Sequence, residues 1–124
     1  MNEMNKLSFE ILDCAYKVHS ELGPGLLEST YETCLSFELL KKDIKFQRQL
    51  EMPVVYKGNL LDAGYRLDLL IEDMIVIEIK SVEQLAPIHQ AQLLTYLKLS
   101  GKKLGLLVNF NEVHLKDGIR RFIL

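Results

Sequence analysis

Residues 67–80 of the chain read LDLLIEDMIVIEIK, and this stretch decides the fold. It contains two β-rich runs, 67–71 and 74–79, that are separated only by two acidic residues. Such runs on either side of a short break predict an antiparallel hairpin. Side chains alternate between the two faces of a strand, so Glu78 and Lys80 share one face of the second run with Val76. Asp68 is the one charged residue of the first run.

The register of this hairpin follows from its apolar side chains. Directly opposed residues share a face, and a slip of one residue moves every side chain to the other face. The two apolar faces coincide when Ile71 lies opposite Ile75, or in a neighbouring register of the same parity, and the first of these is our first choice. We expect this register to bury six residues together, namely Leu67, Leu69, Ile71, Ile75, Ile77 and Ile79. The same register places Asp68 opposite Glu78, with Cβ atoms about 5 Å apart.

The paired acidic residues predict a metal site. Two carboxylates at that distance repel each other unless a cation lies between them or one of them is protonated. Asp68 and Glu78 are therefore candidate ligands for Mg²⁺ or Mn²⁺, which prefer oxygen donors. Glu28, in the second predicted helix, is a candidate third carboxylate. The third predicted helix places Gln92 and Tyr96 on one face, four residues apart.

The rest of the chain predicts helices and strands on both sides of this hairpin. Apolar residues at steps of three and four indicate amphipathic helices, and β-rich runs that end at glycine indicate strands. The expected order is helix 5–22, helix 26–42, strand 46–56, strand 60–71, strand 74–79, helix 87–100, strand 104–110, and a last strand made of 113–115 and 119–123. Gly23-Pro24-Gly25 joins the first two helices in what we call the elbow.

Length and composition limit the classes of protein that the chain can form. A length of 124 residues with 48% hydrophobic residues predicts a single domain over 1–124. No apolar run is long enough to span a membrane, and neither cysteine lies in a metal-binding pattern. We expect a cytoplasmic protein. A net charge of −2 disfavours a broad electrostatic surface for nucleic acid and leaves local contacts as the expected mode.

Several motifs, taken in order, resemble a known family. Asp68 followed by Glu78-Ile79-Lys80 is similar to the D…ExK signature of the PD-(D/E)XK nuclease superfamily, and Gly25-x-x-Glu28-x-x-Tyr31 is similar to the motif that names its GxxExxY family. Further similarity lies in 89–92 with Tyr96, in 108–110 and in 116–119. A D…ExK pattern alone occurs often by chance, whereas the whole ordered set is specific.

The resemblance implies a fold, a site and an activity. The fold is α/β (α+β), with a restriction-endonuclease-like αβββαβ core, a mixed central sheet flanked by helices and an extra N-terminal helix. In the implied site Asp68 and Glu78 bind Mg²⁺ or Mn²⁺, Lys80 orients or activates the attacking water, and Glu28 assists as a further acidic ligand. The implied supporting residues are Gln92, Tyr96 and Tyr31. Leu67 stands where a proline often precedes the aspartate, which removes no ligand.

Structural interpretations compete with each of these roles. Asp68, Glu78 and Lys80 can form a partly buried ion-pair network, and Glu28 suits the N-terminal dipole of a helix without any metal. The tyrosines and Gln92 can serve as core residues with satisfied hydrogen bonds. For function, a hydrolase that cleaves nucleic acid stands beside a non-catalytic module that keeps the nuclease fold and binds nucleic acid or a protein partner, with a homodimer as one form.

Overall fold

The computed structural model describes residues 2–124. Its elements in chain order are α1 (Glu3–Leu22), α2 (Glu28–Lys41), β1 (Phe46–Tyr56), β2 (Asn59–Ile71), β3 (Ile75–Lys80), α3 (Pro87–Ser100), β4 (Leu104–Asn109), a 3₁₀ turn (Leu115–Gly118) and β5 (Ile119–Ile123). The five strands form one mixed sheet in the order β1-β2-β3-β4-β5, in which only β3 and β4 are parallel. The predicted α+β fold with a restriction-endonuclease-like core is confirmed.

Local chemistry explains where several elements begin and turn. The Asn2 side chain accepts a hydrogen bond from the Asn5 amide at 2.8 Å and caps α1. Lys57 and Gly58 both have positive φ, as the tight turn between β1 and β2 requires. Glu72 and Asp73 have positive φ as well, which lets β2 turn directly into β3. None of the helices between residues 2 and 124 is long and apolar enough to cross a membrane.

The sheet carries a hydrophobic cluster on each of its faces. The first cluster joins α1 and α2 to the sheet, and the second joins α3 to the opposite face. Residues 104–109 of β4 are all buried, and they lie within the predicted strand 104–110. β3 is the other buried central strand, and its parallel pairing with β4 follows from the crossover through α3. The end of β3 lies beside α2 and beside α3, to which Lys80 donates a hydrogen bond.

The hairpin has the predicted register but one wrong face assignment. Ile71 pairs with Ile75 and Leu69 with Ile77, which confirms the register. Leu67, however, packs in the α3 cluster, whereas Leu69 and Ile71 pack in the α1/α2 cluster. The prediction that Leu67 shares their face is wrong because the alternation of β2 resets at Asp68.

The last strand is shorter than predicted. Residues 113–115 do not form a strand, because the chain bends after β4 and then makes the 3₁₀ turn before β5. Gly118 ends this turn in close contact with the preceding chain, since a Cβ atom built there would lie 2.4 Å from the Asn109 carbonyl oxygen. The predicted strand over 119–123 is observed, and it pairs with β4.

Candidate active site

Asp68 lies at an interruption in the pairing of β1 with β2. Arg48 pairs with Leu69 and Leu50 pairs with Leu67, but the ladder omits Gln49 and Asp68 between them. The regular pairing of β2 with β3 ends at Leu69 and Ile77. Beyond it, Oδ2 of Asp68 accepts the backbone N–H of Ile79 at 2.8 Å. The half-buried aspartate is thereby tied to β3 through its side chain.

Glu78 is the buried partner of Asp68. Its side chain is 4% exposed, and its Oε1 accepts the backbone N–H of Asp68 at 3.3 Å. Burial, followed by the nearby charge of Asp68, raises the pKa of Glu78 from 4.5 to about 8. Burial also raises the pKa of Asp68, against the lowering effect of the Ile79 N–H. Both carboxyl groups are therefore harder to ionise than a solvent-exposed acid when no cation is bound.

Lys80 follows at the end of β3 and links the site to α3. Its ammonium group donates a hydrogen bond to Oε1 of Gln92 at 3.2 Å. The positive charge of Lys80 lowers the pKa values of both Asp68 and Glu78 and partly offsets their burial. The charges of Asp68, Glu78 and Lys80 thus act on one another within a single cluster.

Tyr96 borders this cluster from α3. The side chain is 6% exposed, and its ring packs edge to face against Tyr65, with 6.0 Å between the ring centroids. Burial, followed by the charges of Glu78 and Asp68, raises the pKa of Tyr96 to about 12. The phenol therefore stays protonated and is available as a hydrogen-bond donor beside the acidic pair.

A cleft of about 440 Å³ opens beside Asp68, on the side of α2. Its lining residues are Glu28, Ser29, Glu32, Gln49, Asp68 and Ile79. Glu28 is exposed in the first turn of α2, and its charge contributes to the raised pKa of Glu78. The sequence-predicted third carboxylate is therefore close enough to act electrostatically on the pair, from the rim of the cleft.

Comparison with known proteins assigns the chain to a family. Residues 5–122 match the family model described as the PD-(D/E)XK nuclease superfamily. The chain belongs to the PD-(D/E)XK nuclease superfamily. No curated protein and no solved structure matches it significantly.

Membership of this superfamily raises the question whether the side chains of Asp68 and Glu78 suit a divalent cation. The donor set suits a hard cation, because Asp68 and Glu78 supply carboxylate oxygens whose mutual repulsion a cation would relieve. Glu28 would add charge from the rim. Between residues 2 and 124 no three His, Cys, Asp or Glu side chains lie close enough to be grouped as a metal centre. The fit thus rests on two carboxylates.

Tyr31 lies near the start of α2, next to the elbow and outside the lining of the cleft. Its hydroxyl donates to the Gly23 carbonyl oxygen at 2.6 Å and accepts the Leu26 N–H at 3.1 Å. The ring is fully buried and stacks on Phe110, with centroids 4.5 Å apart. These contacts connect the two ends of the elbow and orient α2, which carries Glu28.

Sequence reasoning missed Glu32 and Gln49. Glu32 is 6% exposed and accepts hydrogen bonds from Arg48 at 3.0 Å and Gln49 at 2.6 Å. Its position four residues after Glu28, next to the buried Tyr31, is a signal that places a carboxylate on the inward side of α2. Gln49 carried no such signal, because its role depends on a contact with a helix far away in the sequence.

Proposed function

We propose that this PD-(D/E)XK superfamily protein is a divalent-metal-dependent nuclease that hydrolyses phosphodiester bonds in nucleic acid. The observation that carries the proposal is the buried contact between Asp68 and Glu78, with Lys80 beside them. Perturbed acidic pairs of this kind are concentrated at functional sites. Fold membership alone would not establish an activity.

In this proposal Asp68 and Glu78 hold Mg²⁺ or Mn²⁺, with Glu28 as a further acidic ligand. The ion, when bound, supplies a Lewis acid that polarises the phosphate and lowers the pKa of a bound water. Lys80 orients that water or stabilises the negative charge that develops on the phosphate. The water oxygen would form a new P–O bond as its proton passes to solvent, while the P–O bond to the leaving strand breaks and the departing oxygen takes a proton from solvent.

The supporting residues act through those that touch the metal or substrate. Gln92 accepts the hydrogen bond of the Lys80 ammonium and so fixes where its charge lies. Tyr96 covers the acidic pair from α3, and Tyr31 orients α2 through the elbow. We also assign the chain to the GxxExxY family on the strength of its Gly25-x-x-Glu28-x-x-Tyr31 motif, and propose that it acts in the cytoplasm.

The nuclease proposal is tested with purified protein, labelled DNA and RNA in single- and double-stranded form, and Mn²⁺ or Mg²⁺. Lys80→Ala should retain the fold and lose cleavage by a factor on the order of a hundred or more. Lys98→Ala is the matched control, since Lys98 is an exposed lysine in the last turn of α3.

A second arm of the experiment tests the metal. Mn²⁺ should raise the thermal stability of the wild type by binding the folded chain alone, and Asp68→Asn should abolish that increment. Equal shifts in both proteins would contradict the assigned ligands. Absence of cleavage by a folded wild type would instead favour the non-catalytic module that binds nucleic acid or a protein partner, including a second copy of the chain.

A further inference from the structure

The side-chain amide of Gln49 bridges two carboxylates at the edge of the cleft. Its Nε2 lies 2.6 Å from Oε1 of Glu32 and 3.3 Å from Oδ1 of Asp68. A primary amide nitrogen carries two hydrogens, so one nitrogen can donate to both oxygens. Both carboxylates accept hydrogen bonds when ionised, which also settles which end of the amide faces them.

This bridge completes the constraint on Asp68. The second oxygen of Asp68, Oδ2, accepts the Ile79 backbone N–H at 2.8 Å. With one donor on each oxygen, rotation of the carboxylate about its Cβ–Cγ bond would break at least one hydrogen bond. Each oxygen still has a lone pair for another partner. The orientation of Asp68 is therefore set before any cation arrives.

Glu32 anchors the bridge to α2. It is almost fully buried, and its Oε2 accepts the Arg48 Nε–H at 3.0 Å, while Arg48 also donates to Thr33 at 3.0 Å. A carboxylate held by a charged donor has little freedom to rotate. Glu32 thus serves as a fixed acceptor that holds the Gln49 amide in place.

The backbone of Gln49 is adapted to this task. Its φ is +49°, in the left-handed region that non-glycine residues seldom occupy. Backbone conformations of this kind persist where surrounding contacts enforce them, and they are concentrated at functional sites. At this residue the alternation of β1 resets, so that Arg48 and Gln49 both direct hydrogen bonds to Glu32.

We propose that Gln49 is a positioning residue that orients the Asp68 carboxylate for the cation, with Glu32 as its anchor. That the bound species is a divalent cation rests on the proposed function. The orientation of the Asp68 carboxylate rests on its hydrogen bonds alone. Gln49 would touch neither the cation nor the substrate. Its effect reaches the site through one oxygen of Asp68.

The test compares variants that remove the bridge in two ways. Gln49→Gly relaxes the left-handed backbone and deletes the amide, and Gln49→Asn tolerates the same backbone but carries an amide one methylene shorter. Gln47→Ala is the matched control, since Gln47 is an exposed glutamine of β1 that pairs with Leu70. The first measurement is amide hydrogen exchange at Ile79 in metal-free buffer, and the second is Mn²⁺ affinity by calorimetry.

In both Gln49 variants the Ile79 amide should exchange faster by on the order of tenfold, because its acceptor is no longer held. Mn²⁺ should bind about tenfold more weakly, as is usual when a residue that orients a ligand is removed. Gln47→Ala should change neither value, and the melting temperature of Gln49→Gly should stay near that of the wild type. A change in affinity without a change in melting temperature distinguishes positioning from general stabilisation.

Exchange at Ile79 equal to that of Gln47→Ala in both Gln49 variants would overturn the proposal. So would Mn²⁺ binding of wild-type strength by both variants. If the wild type binds no Mn²⁺, or if its Mn²⁺ binding persists in Asp68→Asn, the metal centre of the proposed function fails. Faster exchange at Ile79 would then still support the orienting role of Gln49, so the two failures are distinguishable.

Discussion

Replacing Glu78 by glutamine should make the metal-free protein more stable at alkaline pH. Glu78 is 4% exposed and its pKa is raised from 4.5 to about 8, so folding favours its neutral form. Glutamine has nearly the same shape, cannot ionise, and keeps an oxygen that can accept the Asp68 N–H. The substitution therefore removes the cost of burying a charge without removing the packing.

The pH dependence follows from the two pKa values. Below about pH 4.5 the glutamate is neutral in the folded and unfolded chains, and the variant should match the wild type. Between pH 4.5 and about 8 only the unfolded chain releases the proton, so wild-type stability falls as pH rises. At about 1.4 kcal/mol per pKa unit, the full difference amounts to roughly 5 kcal/mol above pH 8.

The assay is urea denaturation in EDTA at several pH values from 4.5 to 9. We expect Glu78→Gln to exceed the wild type by a few kcal/mol at pH 9 and by little at pH 4.5. Glu21→Gln is the control, because Glu21 is an exposed glutamate of α1. A variant less stable than the wild type at pH 9, or a difference that does not change with pH, would refute the reasoning.

Three further substitutions test contacts around the site, each by urea denaturation. Tyr31→Phe should cost about 1 to 2 kcal/mol, because it removes the hydroxyl that joins the two ends of the elbow, and a negligible loss would show that stacking alone holds it. Asn109→Ala should cost roughly 1 to 3 kcal/mol, because it leaves the Val82 N–H without its partner and the Val82 carbonyl oxygen with the Asn111 side-chain amide alone, and Asn111→Ala is the milder control. Gly118→Ala should cost about 2 kcal/mol or more, since the new Cβ would lie 2.4 Å from a backbone oxygen, and wild-type stability would mean that the turn relaxes freely.

Much of the fold could be predicted because the responsible signals are local. The register of β2 with β3 followed from matching apolar faces across a turn that Glu72 and Asp73 form. Pro87 and Gly101 marked the ends of α3 in the expected way. The predicted strand over 113–115 is wrong, because this short β-rich run forms a bend and the start of the 3₁₀ turn that precedes β5.

The candidate site, like the fold, was predictable only where the signals are local. The sequence by itself determined that Asp68, Glu78 and Lys80 lie on neighbouring strands, since strand alternation and a short hairpin suffice for that. Only the tertiary structure decided that Leu67 leaves its expected face and that Gln49 joins Glu32 to Asp68. A strand pattern of period two assumes uninterrupted alternation. The left-handed backbone of Gln49 breaks that alternation in β1, and the Gln49 side chain donates a hydrogen bond to Glu32, a helix residue 17 positions earlier in the chain.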